Sequence, residues 1–304
     1  SSLLFSRTGN DEVKFGATFK GPRTQVRKTV GLRPNALLLS AAAAAGIECV
    51  QPVFSFFQND VAYCVANAFE QEQPILLDQF KNKTPFSKHL TSLIKYADFG
   101  ISDVKSVPAN IPSDIWHQFK EQMKTQIGAD EGKLEEAFNI KNATQLQFTH
   151  TGEDSSSAGF GLDNESRGTV AALSFFSLAL RQLSRPTVTL IDEIDTSLHP
   201  ALVAELVALY TDPATNPHGS QLIFTTHDVS LINHSGSSNR LLQPDQIWLV
   251  EKDKDGASEL FPVTELGIRK EENIGKNYLN GVYGATPNPS FHTVFAQIMN
   301  GDDD

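Results

Sequence analysis

The sequence predicts an α/β protein built around a parallel sheet, and three neighbouring stretches carry this prediction. Residues 187–191 form a short, mostly β-branched run that begins directly after Pro186, and Gln221 to Thr226 form a second apolar run. Such runs are typical of buried parallel strands. Residues 201–210 between them have a helical composition. A strand, a helix and a strand of these lengths predict a right-handed crossover with adjacent parallel strands.

Charged and polar residues follow both predicted strands at their carboxyl ends. Asp192 and Glu193 end the first run, and His227 follows the second. Because the ends of parallel strands meet at one sheet edge, we expect the three side chains to lie together where α/β sheets bind ligands. One carboxylate can hold Mg²⁺ and the next can orient or deprotonate a water. The alternatives are solvated acids at a strand end and a structural histidine.

The short stretch before the longest apolar helix has two interpretations. Glu165-Ser166-Arg167-Gly168-Thr169 precedes a helix predicted from Val170 to Leu183. A hydroxyl residue in this place is typical of an N-cap. The same free backbone N–H groups and hydroxyl also make an anion site. From these residues alone the plain cap is the preferred interpretation.

The first half of the chain predicts a mostly helical lobe without a catalytic constellation. Residues 1–30 suggest strands and turns, and a polar loop is expected at residues 151–159. Pro34 is expected to open a helix that continues through Ala45. Further helices are expected at 52–69, 85–96 and 112–126, and strands at 99–107 and 144–149.

The last part of the chain predicts a hairpin followed by a terminal helix. Asp255-Gly256 separates two alternating runs at 247–251 and 258–263, which is a hairpin signal. A metal site of Toprim-nuclease type at Glu251, Asp253 and Asp255 is a less favoured alternative, because no room remains for that domain. Phe291 to Met299 is expected to be helical.

Composition is that of an ordinary globular protein. Hydrophobic residues make up 40% of the 304 residues and the formal net charge is −11, which argues against a nucleic-acid binder over its whole surface. A basic stretch near the start is interpreted as a solvated face. It consists of Lys14, Lys20, Arg23, Arg27, Lys28 and Arg33. The two cysteines form no disulfide framework or metal spacing, and no apolar run is long enough for a membrane. We therefore expect a cytoplasmic protein that does not contact a membrane.

Three motifs in this order resemble the AAA-annotated, ABC-like P-loop ATPases, the bacterial group related to the SMC, RecF and OLD ATPases. They are Glu165 to Thr169, then L-I-D-E-I-D-T-S-L-H-P from Leu190, then L-I-F-T-T-H-D from Leu222. The resemblance implies an α/β P-loop NTPase core with an inserted, mostly helical lobe. It divides the chain into an N-terminal part with the lobe (1–150), the C-terminal half of the core (151–265) and an extension (266–304).

The same resemblance implies a role for each motif residue, with ATP and Mg²⁺ as cofactors. Asp192 would be the Walker B carboxylate on Mg²⁺, Glu193 the catalytic base and His227 the catalytic switch histidine. Asp195 would lie in the D-loop. The signature motif, with Ser166, Gly168 and Thr169, would contact ATP bound to a second subunit, which implies a homodimer.

The sequence departs from this family in one respect. It contains no G-x-x-x-x-G-K-[ST] Walker A loop, which cradles the β-phosphate and supplies a lysine. The family places that loop before every motif seen here. We therefore expect the C-terminal part of a longer ATPase that hydrolyses ATP weakly by itself.

Three functions follow from the resemblance. The first is an ATPase that dimerises around nucleotide, with DNA transactions or antiphage defence as the implied settings and DNA as an implied partner. The second is a nucleotide-gated interaction module whose effector is a separately encoded chain. The third is an inactive protein descended from an ATPase.

Overall fold

The computed structural model describes most of the chain. The described residues are 3–8, 13–30, 36–64, 69–109, 143–152, 156–233, 240–269, 272–287 and 289–300, with seven further positions between 114 and 125. No described helix has both the length and the apolarity of a membrane span.

The centre of the fold is a parallel sheet of strands β3 (Val61–Cys64), β7 (Val188–Ile191) and β8 (Gln221–Phe224). Strand β7 lies in the middle, with Val188 opposite both Val61 and Gln221. Helix α7 (Pro200–Thr211) connects β7 to β8. The predicted strand–helix–strand unit with parallel neighbours is therefore confirmed.

One face of this sheet is covered by helices. Helix α6 (Arg167–Gln182) and helix α7 pack on the face that carries Cys64 and Ile191, both buried. Helix α6 is apolar almost all round, which is why it lies in the interior. Tyr63 and Ile223 belong to the opposite face, and both are more than half exposed.

A second, antiparallel sheet shares this core. It consists of β4 (Ile101–Pro108), β5 (Thr144–Thr151) and β6 (Ser157–Gly161), in that order. Helices α4 (Phe69–Lys81) and α5 (Pro85–Tyr96) lie between this sheet and α6. Phe148 on β5 is fully buried in the same cluster as Leu173 on α6, so both sheets belong to one hydrophobic core.

The N-terminal residues form a smaller lobe with a core of its own. It contains β1 (Phe5–Ser6), β2 (Lys14–Phe15), α1 (Arg23–Val30), α2 (Leu38–Ala44) and α3 (Gln51–Ser55). Its buried residues include Phe19, Val26 and Leu38. The basic side chains of Arg23 and Arg27 lie over the ring of Phe15, so part of the basic stretch packs against an aromatic ring.

The C-terminal residues form a hairpin and two helices. Strands β9 (Trp248–Lys252) and β10 (Ser258–Pro262) are antiparallel, as predicted. Helix α8 (Ile274–Leu279) packs near them, with Ile274 fully buried. Helix α9 (Phe291–Asn300) matches the predicted terminal helix, but none of its residues is buried.

Three sequence predictions are wrong in part. Residues 61–64, expected to be helical, form β3, because Val61 and its neighbours pair with β7. Residues 157–159, expected to be loop, belong to β6 and pair with β5. Residues 23–30, placed among strands and turns, form helix α1.

Other predictions match or lie outside the described residues. The helix expected at 85–96 has those bounds, and the strands expected at 99–107 and 144–149 appear as β4 and β5. Pro34 lies outside the described residues, but the helix predicted to begin there begins at Leu38, with an extended Leu37 as its N-cap. Most of the helix expected at 112–126 is also outside the described residues. Strand β3 comes from the segment assigned to the N-terminal part, yet it forms an outer strand of the parallel sheet.

Candidate functional site

The carboxyl edge of the parallel sheet continues beyond the strands as a set of backbone hydrogen bonds. The Asp192 N–H donates to the Cys64 carbonyl at 3.1 Å, and the Thr225 N–H donates to the Ile191 carbonyl at 3.0 Å. The Ile194 N–H then donates to the Thr225 carbonyl at 3.0 Å. The turn after β7 is therefore joined to the turn after β8.

The hydroxyl of Thr225 binds both acidic residues. It donates to Asp192 Oδ1 at 2.6 Å and accepts the backbone N–H of Glu193 at 2.8 Å. Both acidic residues are exposed at this edge. Asp192 Oδ2 accepts no hydrogen bond from the described residues, so this oxygen is open to a ligand.

The backbone of Glu193 has a conformation that side chains rarely adopt. Its φ is +53°, in the left-handed region. The Thr196 hydroxyl donates to Glu193 Oε2 at 3.3 Å. A strained residue held by its surroundings is typical of a functional turn.

Asp195 joins the same turn to the histidine. Its Oδ1 accepts the Thr226 hydroxyl at 2.6 Å and the backbone N–H of His227 at 3.2 Å. The side chain of His227 is exposed. Asp192, Glu193, Asp195 and His227 are therefore brought together at one sheet edge, as the strand order predicts.

The predicted signature segment begins helix α6 close to this edge. Ser166 is the N-cap, and its Oγ accepts the Thr169 N–H at 3.0 Å and lies 2.9 Å from the Thr169 hydroxyl. Gly168 lies against the turn after β7, since a Cβ built on it would be 2.8 Å from the Ser197 carbonyl oxygen. Glycine is thus required by a contact within this chain.

Comparison with known proteins identifies the family. The family model described as "AAA domain, putative AbiEii toxin, Type IV TA system" matches residues 74–233, more than half of the chain. This chain belongs to that AAA-domain family. No curated protein matches it. The match contains the signature segment, both acidic residues and His227, and it confirms the resemblance to AAA and ABC-like P-loop ATPases. Proteins of this family have the α/β P-loop NTPase fold, and the match indicates ATP as the ligand.

Two threonines of the AAA domain were not found from the sequence. Thr225 and Thr226 donate to Asp192 and Asp195, and they are the link between the two turns. The signal was present, because two hydroxyl residues stand directly before the histidine. Threonine also suits the end of a β-strand, so these two residue types alone do not indicate a link between the turns.

The cation that the AAA domain implies fits a single carboxylate. The described residues contain no cluster of three metal-ligating side chains. Mg²⁺ in nucleotide sites is held by one or two carboxylates with substrate phosphates and waters. An exposed Asp192, with one oxygen held by Thr225 and the other open, is suited to that coordination.

Cys64, at the end of β3 beside Asp192, is a structural residue of the parallel sheet. Its thiol is buried, and burial raises the pKa to about 11, with the nearby Glu72 charge acting in the same direction. A thiol in this state is not a nucleophile near neutral pH.

The alternative metal site in the hairpin receives no support from its contacts. Asp253 Oδ1 accepts the N–H groups of Asp255 and Ala257, at 2.9 Å and 2.8 Å, and so closes the turn. Glu251 Oε1 accepts the Ala285 N–H at 3.3 Å. These acids stabilise the hairpin and its contact with the C-terminal residues.

Proposed function

We propose that this AAA domain binds Mg²⁺–ATP at the carboxyl edge of its parallel sheet and hydrolyses the γ-phosphate bond. The observation that carries the proposal is the joining of the two turns by Thr225 and Thr226, which holds two carboxylates and the backbone of His227 at one edge. The family match supports ATP as the substrate.

Asp192 is the proposed magnesium ligand. Thr225 holds one carboxylate oxygen at 2.6 Å and fixes the side chain, while the other oxygen remains for the cation. Bound Mg²⁺ would neutralise charge on the phosphates.

Glu193 is the proposed general base. Its backbone N–H is held by Thr225 and its Oε2 by the Thr196 hydroxyl, so the carboxylate has a defined position at the sheet edge. There it would accept a proton from the attacking water. His227, whose backbone is held by Asp195, is the proposed contact to the γ-phosphate.

The signature segment is the proposed dimer contact. The N–H groups at the start of α6, with the hydroxyls of Ser166 and Thr169, suit a phosphate oxygen. The site that binds ATP on one subunit would be completed by this segment of the second subunit, and Asp195 would lie beside the interface. The β-phosphate needs a Walker A loop, which these residues do not contain.

The test of this proposal is Glu193→Gln, measured in the protein as its gene encodes it. We expect hydrolysis to fall by about 10²–10⁴-fold while ATP binding is retained, because the glutamine keeps the shape but not the basicity. Glu205→Gln on the exposed side of α7 is the matched control and should leave turnover unchanged. Unchanged hydrolysis in Glu193→Gln would contradict the assignment.

A nucleotide-gated interaction module is the second candidate. Helix α9 favours it, because Phe291, Phe295 and Met299 are each more than 60% exposed and offer an apolar surface to another protein. If the closed, ATP-bound dimer is the active state, Glu193→Gln should keep or raise the biological output. If turnover is required, for example in DNA transactions or in a toxin or defence setting, the output should disappear.

A further inference from the structure

The C-terminal residues lie directly against the segment that follows the switch histidine. Residues 229–232 form a short 3₁₀-helix after His227 and Asp228. Helix α8 packs on this segment, and Ile274 is completely buried in a cluster against which Ile232 packs. We refer to residues 272–285 as the C-terminal brace.

A glycine makes a close contact with the backbone of this segment. A Cβ built on Gly275 would lie 3.0 Å from the Cα of Asn233 and 3.1 Å from its backbone nitrogen. The Asn233 Cβ lies equally close, at 3.0 Å, and none of these three atoms can move aside as the end of a flexible side chain would. Next to it, Asn273 Nδ2 donates to Asn233 Oδ1 at 2.7 Å.

Polar contacts stabilise the brace internally through Glu272 and join it to the rest of the protein through Arg240 and Glu251. Glu272 Oε1 accepts the Tyr283 hydroxyl at 2.7 Å and the Asn277 amide at 2.6 Å, and Arg240 donates to the Glu272 carbonyl at 2.9 Å. Glu251 on β9 accepts the Ala285 N–H. Tyr283 and Ala285 thus belong to the brace.

An unbroken series of hydrogen bonds leads from the braced segment to the acidic turn. Asp228 caps the 3₁₀-helix by accepting the Ser230 N–H at 2.9 Å. The Asp228 N–H donates to the Thr226 hydroxyl at 2.9 Å, and that hydroxyl donates to Asp195 at 2.6 Å. His227 lies between Thr226 and Asp228, so its backbone position depends on both.

We infer that Gly275 and Asn273 are positioning residues. They hold the segment that contains His227 (residues 226–228) in place beside Asp195. The predicted effect on turnover rests on the proposed ATPase function. The predicted effect on the structure rests only on these contacts. Displacement of a γ-phosphate contact by part of an ångström lowers turnover more than ground-state binding.

The first test is Gly275→Ala, with Gly161→Ala as its matched control. Gly161 has an ordinary φ of −76° and no neighbouring atom within 4 Å of a built Cβ. Because alanine forms helices better than glycine, any loosening of helix α8 in Gly275→Ala must come from the crowded contact with Asn233 and not from a lower helix propensity. We expect kcat for Mg²⁺–ATP to fall about threefold to tenfold with little change in KM.

Amide hydrogen exchange supplies a readout that does not depend on catalysis. In Gly275→Ala, the Ser230 and Asn233 amides should exchange about tenfold faster, while amides of the core helix α6 keep the wild-type rate. Gly161→Ala should change neither the exchange of these amides nor kcat.

A second test avoids introducing bulk and uses the asparagine pair. Asn233→Asp alone keeps the Asn273 amide as donor, and Asn273→Asp alone keeps the Asn233 amide as donor and the cap on the Lys276 N–H. The double variant has two acceptors and no donor. We expect both single variants to resemble wild type, and the double variant to show faster exchange at residues 230–233 and a lower kcat.

The outcomes separate the two proposals. Faster exchange in Gly275→Ala and in the double variant, with lower kcat, supports the brace. Faster exchange in a protein without ATPase activity would leave the brace in place and contradict the proposed function. Faster exchange with unchanged kcat, or wild-type exchange in the double variant, would overturn the positioning role.

Discussion

The hydroxyl of Thr225 donates to Asp192 Oδ1 at 2.6 Å and so ties the turn after β8 to the acidic turn after β7. The same oxygen accepts the Glu193 N–H. One side chain therefore orients both of the residues to which we assign the chemistry.

Replacement of Thr225 by valine should impair turnover more than folding. Valine has the same shape but neither donates to Asp192 nor accepts from Glu193. Because the position is exposed, we expect the free energy of unfolding to fall by no more than about 1.5 kcal/mol. Turnover should fall about tenfold through misplacement of the carboxylates. Steady-state kinetics and urea unfolding measure the two effects.

Thr225→Ser is the matched control for this change. It keeps the hydroxyl and should retain most of the wild-type turnover. Equal turnover in the valine and serine variants at or above half the wild-type value would show that the hydroxyl does not position the acids.

Gly168→Ala should destabilise the fold even without nucleotide. The new Cβ would lie 2.8 Å from the Ser197 carbonyl oxygen, and Ser197 has a constrained φ of +66°. We expect a loss of about 1–3 kcal/mol, which is usual for overpacking. Urea unfolding measures it, and Gly161→Ala should differ from wild type by less than about 0.5 kcal/mol. A Gly168→Ala protein as stable as Gly161→Ala would refute the close contact.

Cys64 should make the stability of the fold depend on pH in the alkaline range. Burial raises the pKa of the thiol from 9.0 to about 11. Between these values the unfolded thiol ionises while the folded thiol stays protonated, so the unfolded state binds fewer protons. The free energy of unfolding should therefore fall as pH rises from 9 to 11, by at most about 1.4 kcal/mol per pH unit.

Comparison with Cys64→Ala isolates this effect from other groups that titrate in the same range. The difference in unfolding free energy between wild type and Cys64→Ala should decrease above pH 9 and stay constant below it. A difference that is independent of pH would show that the thiol is not buried as described.

The sequence was informative where structure is local or follows from strand order. The runs ending at Ile191 and Thr226 predicted parallel neighbours, and the sheet edge then brought Asp192, Glu193 and His227 together. A hydroxyl N-cap was predicted before this helix, and Ser166 is that cap, although the helix begins at Arg167 and not at Val170. These features depend on periodicity, capping and the handedness of the crossover.

Features that depend on distant contacts were not predictable. Residues 61–64 form a strand because they pair with β7, more than 120 residues away along the chain. Their own composition fitted the end of an apolar helix. The contact of Gly168 with Ser197 and the bridge from Thr225 to Asp192 likewise require the folded chain.

The most direct test of the central claim is the Mg²⁺-dependent ATPase activity of Asp192→Ala in the protein as its gene encodes it. Loss of the magnesium carboxylate should lower turnover by about a hundredfold or more, since a bound cation contributes several kcal/mol to transition-state stabilisation. Asp245→Ala is the control. Asp245 is an exposed acid that follows no strand of the parallel sheet, and its replacement should retain wild-type activity. Wild-type turnover in Asp192→Ala would contradict the placement of the triphosphate at this edge.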